Sequence, residues 1–384
     1  MLISGSVSSF TILLIVFFLF KEAGGLFNTP ATEEGYVLAV NEKNDVTKLS
    51  PEKIMDIFDG NISNWKEING MDQDILIFRF SDLTNYYSEE ELGDEFQYVP
   101  EKISELVAKG RGTIASFPKQ YLLEKGFQGR VLPEEKITPG EFFGGTKWYP
   151  TSTPAPIFGL VPLLLGTLLV SIGAIILSLP FGVAVAIYMA EIASKRTRGL
   201  LKPIIELLAG IPSVVYGFFG LVVIVPLIQK GLHLPVGETA FAGSVVLGIM
   251  GLPTIITVAE DAMRTTPRAM KEASLALGAT QWQTIYKVII PYSISGITSA
   301  IVLGIGRAIG ETMAVLMVTG NAAVIPTSFF EPVRTIPATI AAELGEAPAG
   351  GAHYEALFLL GAVLFLITLI LSISVEYISS KRKI

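Results

Sequence analysis

The chain has 384 residues, 51% hydrophobic and 16% charged, with a mean hydropathy of +0.55, whereas ordinary soluble domains carry about 25% charged residues. That composition excludes a soluble globular enzyme as the default. Zero cysteines exclude disulfides, thiolate metal sites and a cysteine nucleophile, and two histidines, His233 and His353, are too few for a histidine metal cage. The formal charge of −7 is uneven: residues 28–147 hold 22 acidic and 13 basic side chains, the remainder 13 and 15. An acidic segment therefore interrupts a weakly basic, apolar body.

Val7 to Phe20 is an uninterrupted run, mostly apolar, with no basic residue before it and no small-x-small cleavage site after it. It reads as a first transmembrane helix within residues 1–27; cleavage as a signal peptide would leave five spans. The missing basic cluster is odd for a cytoplasmic start and leaves open whether the chain begins upstream. Residues 28–147 change character, with strand-like alternation in Gly35–Val40, helix-like patterns in Leu49–Phe58 and Pro100–Ala108, and turns at Asp59-Gly60 and Asn69-Gly70. This predicts a folded α/β insertion in which Ser50 and Pro51 open a helix.

Between Trp148 and Ala190 there is no Asp, Glu, Lys or Arg, a stretch long enough for two spans at about 20 residues each. Two spans would put Lys195, Arg196, Arg198 and Lys202 on the side of the acidic insertion; one span, roughly 158–179 with Pro180 bending its continuation, puts them opposite. The positive-inside rule favours one. Further spans are predicted at about 205–228, 240–260, 295–319 and 355–378, making six with the first. Lys195–Lys202, the 264–287 stretch and the Lys381–Lys383 tail then share the cytoplasmic side, as do both termini, and the insertion is extracytoplasmic. The helices' Gly-rich faces favour an oligomer over a monomer.

The loop between the fourth and fifth spans runs EASLALGATQWQTIYKVIIP from Glu272 to Pro291. A helical turn at Glu272–Leu277, a sharp bend at Gly278 and a second helix at Gln281–Val288, with Trp282 and Tyr286 on one face, suit docking into another protein. An amphipathic loop lying on the membrane surface is the plainer alternative. The segment resembles the EAA loop of ABC-importer permeases: Glu272 and Ala273 match, Ser274 replaces the second Ala, Gly278 follows after three residues, and after nine more come Val288, Ile290 and Pro291. Glu206–Gly220, Gly304–Asn321 and Pro162–Ser171 narrow the resemblance to phosphate-specific permeases of the PstC type. It covers residues 140–384 and the first helix.

The resemblance implies a polytopic α-helical membrane protein with the type I ABC importer permease fold, an inserted α/β domain at 28–147 and a permease core at 148–384. The core carries its coupling loop at 264–291. It further implies alternating-access import of inorganic phosphate, a second homologous permease subunit, two ATPase subunits and an extracytoplasmic phosphate-binding protein. Glu272, Ala273, Gly278, Trp282, Tyr286 and Pro291 would couple to the ATPase. No P-loop occurs in the chain, so ATP hydrolysis would belong to another subunit; no cofactor or metal is expected.

Arg307 and Glu311 are charges one helical turn apart in the fifth span. An ionised side chain at bilayer depth costs at least about 2.5–3.5 kcal/mol, so such residues face protein or water. The planar fork of Arg307 suits an oxyanion, and the resemblance implicates both residues in transport; mutual pairing that merely fixes helix packing is the competing explanation. Gly306 and Gly310 form a G-x-x-x-G expected to bring another helix close. GIGRAIGET lacks a Gly-Lys-Ser/Thr ending and is no nucleotide loop, His233 and His353 read as solvated, and Glu206 and Tyr216 either line the path or support the Gly-Pro-Ser bend.

Within the insertion, residues 36–82 resemble one lobe of phosphate-binding proteins, with Ile57–Trp65 as the carrying string. The anion-cradling loop usual after Phe78-Arg79 is replaced by a run containing Glu89–Glu91, Asp94 and Glu95, which repels phosphate. A docking or regulatory surface is therefore expected there. Competing functions are a permease for molybdate or sulfate, and a membrane receptor that senses through the insertion.

Overall fold

The computed structural model describes residues 2–380. Lys381–Lys383, placed at the cytoplasmic side above, lie outside the described residues. The chain divides into two compact units, one comprising residues 1–23, 160–347 and 357–384, the other residues 24–159 and 348–356.

The first helix, α1 (Leu2–Gly25), is longer than the apolar run that signalled it. Its aromatic side chains pack edge-to-face on the last helix: Phe18 on Phe358 at 5.6 Å and Phe20 on Phe365 at 6.3 Å between ring centres.

In the insertion, β1 (Tyr36–Asn41), α2 (Pro51–Phe58), β2 (Leu76–Arg79), α3 (Val99–Lys109), β3 (Thr113–Pro118) and β4 (Gly129–Val131) form a sheet of order β2-β3-β1-β4 with two helices against it. β1 is antiparallel to β3 and β4, and β2 is parallel to β3. The alternation in β1 serves two cores, because successive side chains leave opposite faces. Leu38 and Val40 pack with Ile54, Ile57 and Trp65, while Val37 and Ala39 pack with Val99, Ile103 and Phe117. Pro51 does occupy the first turn of α2, but Ser50 makes no side-chain cap bond. Both turns appear as expected, with Gly60 at φ +77° and Asn69 at φ 67°. Lys147 bonds Asp56 at 3.1 Å, and that hydrogen bond is the main cause holding its pKa above the ordinary value.

The membrane body continues with α4 (Val161–Ile187), α5 (Lys195–Ala209), α6 (Ser213–Phe219), α7 (Val225–Leu232) and α8 (Ala240–Arg264). After these come α9 (Arg268–Ala276), α10 (Gln281–Thr284), α11 (Ile290–Gly310), α12 (Met313–Val318), α13 (Ile336–Glu343) and α14 (Ala352–Ser380). Six helical stretches among the described residues are long and apolar enough to cross a membrane: Phe10–Asn28, Val161–Ile192, Ser213–Leu232, Ala240–Arg264, Gln281–Gly310 and Ala352–Ser374. The charge-free stretch is one span. Helix α4 runs through Pro180 and ends in a π-helical turn at Tyr188–Ile192.

Two span boundaries and one loop differ from the sequence reading. The third span begins at Ser213, because Gly210 ends α5 and Pro212, which has no amide hydrogen, opens α6. Glu206 therefore sits exposed on α5, outside the span. The fifth span is not continuous to residue 319: Glu311 is extended (φ −72°, ψ 131°), and the chain restarts as α12. The loop after it contains α13, whose first turn is buried.

Close packing falls on glycines, but not on the expected pair. Added Cβ atoms at Gly173 and Gly248 would strike α8 and α4 respectively, and at Gly217 and Gly220 they would strike α12. At Gly306 and Gly310 nothing lies within 4 Å. The predicted G-x-x-x-G contact is therefore absent within the described residues, because α11 turns that face away from its neighbours.

Candidate functional site

Two regions of the membrane body carry the residues singled out by sequence. The first is the loop between the fourth and fifth spans. Helix α9 ends at Ala276, Gly278 adopts φ +84°, and Thr280 caps α10 by accepting from the Gln283 amide at 3.2 Å while Gln283 Oε1 accepts from the Thr280 amide at 2.8 Å. The left-handed backbone at Gly278 is what a residue without Cβ tolerates freely. Glu272, Ala273, Trp282, Tyr286 and Pro291 are all exposed, Trp282 at 62%. Leu277, beside the bend, is 90% exposed. A bent pair of short helices with apolar side chains at its tip is a surface built to be covered.

That loop is anchored on its inner side. Lys271 Nζ lies 2.5 Å from Glu191 Oε1, and Gln281 Nε2 donates to the Glu191 carbonyl at 3.1 Å. The two limbs are tied by Ser274 Oγ and Thr284 Oγ1 at 3.0 Å. Ile285 and Ile289, in a π-helical turn, pack with Ala186, Ala259 and Met263.

The second region is the break between α11 and α12. Arg307, half-buried in the last turn of α11, donates from Nη1 to Thr254 Oγ1 on α8 at 3.1 Å. Thr254 follows Pro253, a helix-interior proline that leaves the carbonyl one turn earlier without its usual donor. Glu311 accepts from the Ala314 amide at 3.3 Å, supplying one of the bonds the start of α12 lacks. No ion pair joins Arg307 to Glu311 or to any other carboxylate among the described residues. Tyr216 is buried and donates to the Leu208 carbonyl at 2.8 Å, bridging the Gly210–Pro212 break.

A cluster that sequence reading missed surrounds Glu260. Its side chain is 2% exposed, in contact with Arg198, and has Lys202 at 3.6 Å and Arg264 at 3.8 Å. Lys202 also reaches Asp261 at 3.3 Å. A carboxylate this buried requires such partners. The available signal was one turn of Glu and Arg, Glu260 to Arg264, closing an otherwise apolar helix.

Six membrane-crossing lengths and a bent, solvent-facing helical pair between the fourth and fifth define a multi-pass membrane protein whose body is built around an exposed docking loop. The family described as the inner membrane component of binding-protein-dependent transport systems matches residues 182–384, more than half of the chain, and the chain belongs to that family. A PBP superfamily domain matches residues 17–136. The chain is 40% identical over 264 residues to the probable ABC transporter permease protein YqgH of Bacillus subtilis, covering 69% of this chain and 84% of that protein. To the phosphate transport system permease protein PstC of Pasteurella multocida it is 39% identical over 237 residues, covering 56% and 73%. Among solved structures, an inward-facing MetNI methionine ABC transporter aligns with TM-score 0.47 and 17% identity over 59% of this chain and 96% of that one.

Proposed function

We propose that the chain is the permease subunit of an ATP-driven importer of inorganic phosphate. Its domains are a first transmembrane helix at 1–27, an extracytoplasmic α/β insertion at 28–147 and a permease core at 148–384. Both termini and the 264–291 loop are cytoplasmic, where the loop docks on an ATPase of separate chains. A second permease subunit completes the membrane path, and a phosphate-binding protein delivers the ion from the opposite side. The substrate is the one named in the PstC relatives.

One observation carries the substrate reading: Arg307 is a guanidinium within a membrane span, at a helix break, with no ion pair to a carboxylate among the described residues. A guanidinium in that setting presents its remaining donors to an oxyanion passing the break. Thr254 holds one arm of the fork, Nη1. In alternating access, ATP-driven closure of the ATPases displaces the bent loop, and the helices around Arg307 reorient from one side to the other.

The test is phosphate uptake by the complete complex in proteoliposomes, with sulfate and molybdate as competitors. Uptake that phosphate alone suppresses supports the reading. Equal competition by molybdate or sulfate transfers the chain to another oxyanion, and a chain that copurifies with no ATPase is no importer subunit.

A further inference from the structure

We propose that Glu191 is the strut through which the bent loop moves the second span. This rests on the loop's being the ATPase-docking element. The claim is specific: beside the apolar packing of Ile285 and Ile289 on Ala186, the polar grip of the loop on the end of α4 falls on one residue that both limbs hold.

Lys271 in the first limb meets the Glu191 carboxylate at 2.5 Å, and Gln281 at the start of the second limb meets the Glu191 backbone carbonyl at 3.1 Å. The Ser274–Thr284 contact at 3.0 Å makes the two limbs one body. At the apex, a Cβ on Gly278 would meet no atom within 4 Å, so the tip itself does not brace the loop. The ion pair is sheltered, with side chains 22% and 12% exposed; it is therefore screened less than a surface pair and holds its geometry better.

Glu191 also sits in the irregular turn that ends the second span. It lies in the π-helical turn Tyr188–Ile192, closed by the Ala193 amide on the Tyr188 carbonyl at 2.8 Å. Single π turns interrupt the regular ladder and frequently mark functional positions in helices. A pull on Glu191 thus acts on a turn already out of α register, and α4 packs along α8, which carries Thr254 opposite Arg307. The chain from loop to path is contiguous: Lys271 and Gln281, Glu191, α4, α8, Thr254, Arg307.

The experiment uses the complete complex in proteoliposomes and reads phosphate moved per ATP hydrolysed. Glu191→Gln and Lys271→Met should each lower that ratio at least tenfold while ATPase copurification and hydrolysis stay within twofold of wild type. The exchanged pair, Glu191→Lys with Lys271→Glu, should recover at least half of the ratio. An unchanged ratio overturns the proposal, as does loss of ATPase binding together with hydrolysis, which marks a residue that only holds the loop folded.

Because the chain has no cysteine, spin labels at Leu275→Cys and Phe181→Cys give a second readout that needs no transport. Their separation should not change on ATP binding in the wild-type background, and should change with Glu191→Gln. A separation that ATP changes in the wild-type background overturns the strut. A wild-type complex that moves no phosphate refutes the proposed function instead, and the label distance still decides the role of Glu191.

Discussion

Arg307 holds its place through a neutral hydroxyl rather than a carboxylate, so its charge stays available. Replacing it with Lys keeps the charge but removes the fork. Arg307→Lys and Arg307→Ala should each reduce phosphate uptake at least tenfold while subunits still copurify. Glu311→Gln should have a milder effect, since its recorded bond is to the Ala314 amide, which a Gln side-chain oxygen can also accept. Retained uptake with lost assembly would make Arg307 a packing residue. Glu260 acts differently, as a buried carboxylate whose removal strands three cations. Because those cations are partly exposed, Glu260→Ala should destabilise the membrane body by about 2 kcal/mol, below the figure for a fully buried pair. Thermal unfolding in detergent measures it, and an unchanged midpoint would show the cluster to be dispensable.

At the scale of elements, the bend in the loop depends on one backbone angle. A β-branched residue at φ +84° is strained by about 1–2 kcal/mol, enough to redistribute two short helices about the bend. Gly278→Val should leave the six spans folded and expressed yet abolish ATP-driven uptake; normal uptake at normal membrane levels would show that the bend is not needed. The bend was legible because Gly278 is the single flexible residue between two amphipathic stretches. The break at Glu311 was not. Gly310 and Thr312 beside it are weak helix formers, but such residues also sit inside spans; the break is fixed by the Glu311 carboxylate capping α12 and, non-locally, by α12 packing against Gly217 and Gly220. The G-x-x-x-G at Gly306 and Gly310 meets no helix of this chain among the described residues, because spacing reports which residues share a face and not which helix covers it. Helix α13 went unseen because it is short and its burial comes from contacts far along the chain, such as the Ile336 amide on Thr167 at 2.9 Å.

At the scale of the molecule, the insertion and the membrane body serve one transport cycle in the proposed function. The run around Glu89–Glu91 forms a short exposed helix, with Glu91 accepting from the Ser88 amide at 2.9 Å. Three carboxylates on one turn repel a free dianion and suit a basic patch on a protein arriving from the same side. Glu89→Lys with Glu90→Lys should weaken binding-protein association severalfold, more at low salt than at high, and leave ATPase copurification unchanged. Unchanged association at low salt would remove this surface from docking.

Composition and hydropathy alone determined that the chain is a six-span membrane protein interrupted by a folded acidic α/β segment. Apolar length and charge placement are local properties, and the bilayer reads them locally. The loop from Glu272 to Pro291 was equally plain, since its helices, bend and exposed aromatics need no distant partner. Only the tertiary structure decided what Arg307 touches, that Glu191 receives both limbs of that loop, and that Glu260 gathers Arg198, Lys202 and Arg264. Each of these joins residues from separate helices. Their pairing is set by how α4, α5, α8 and α11 close on one another, a geometry that no window of sequence contains.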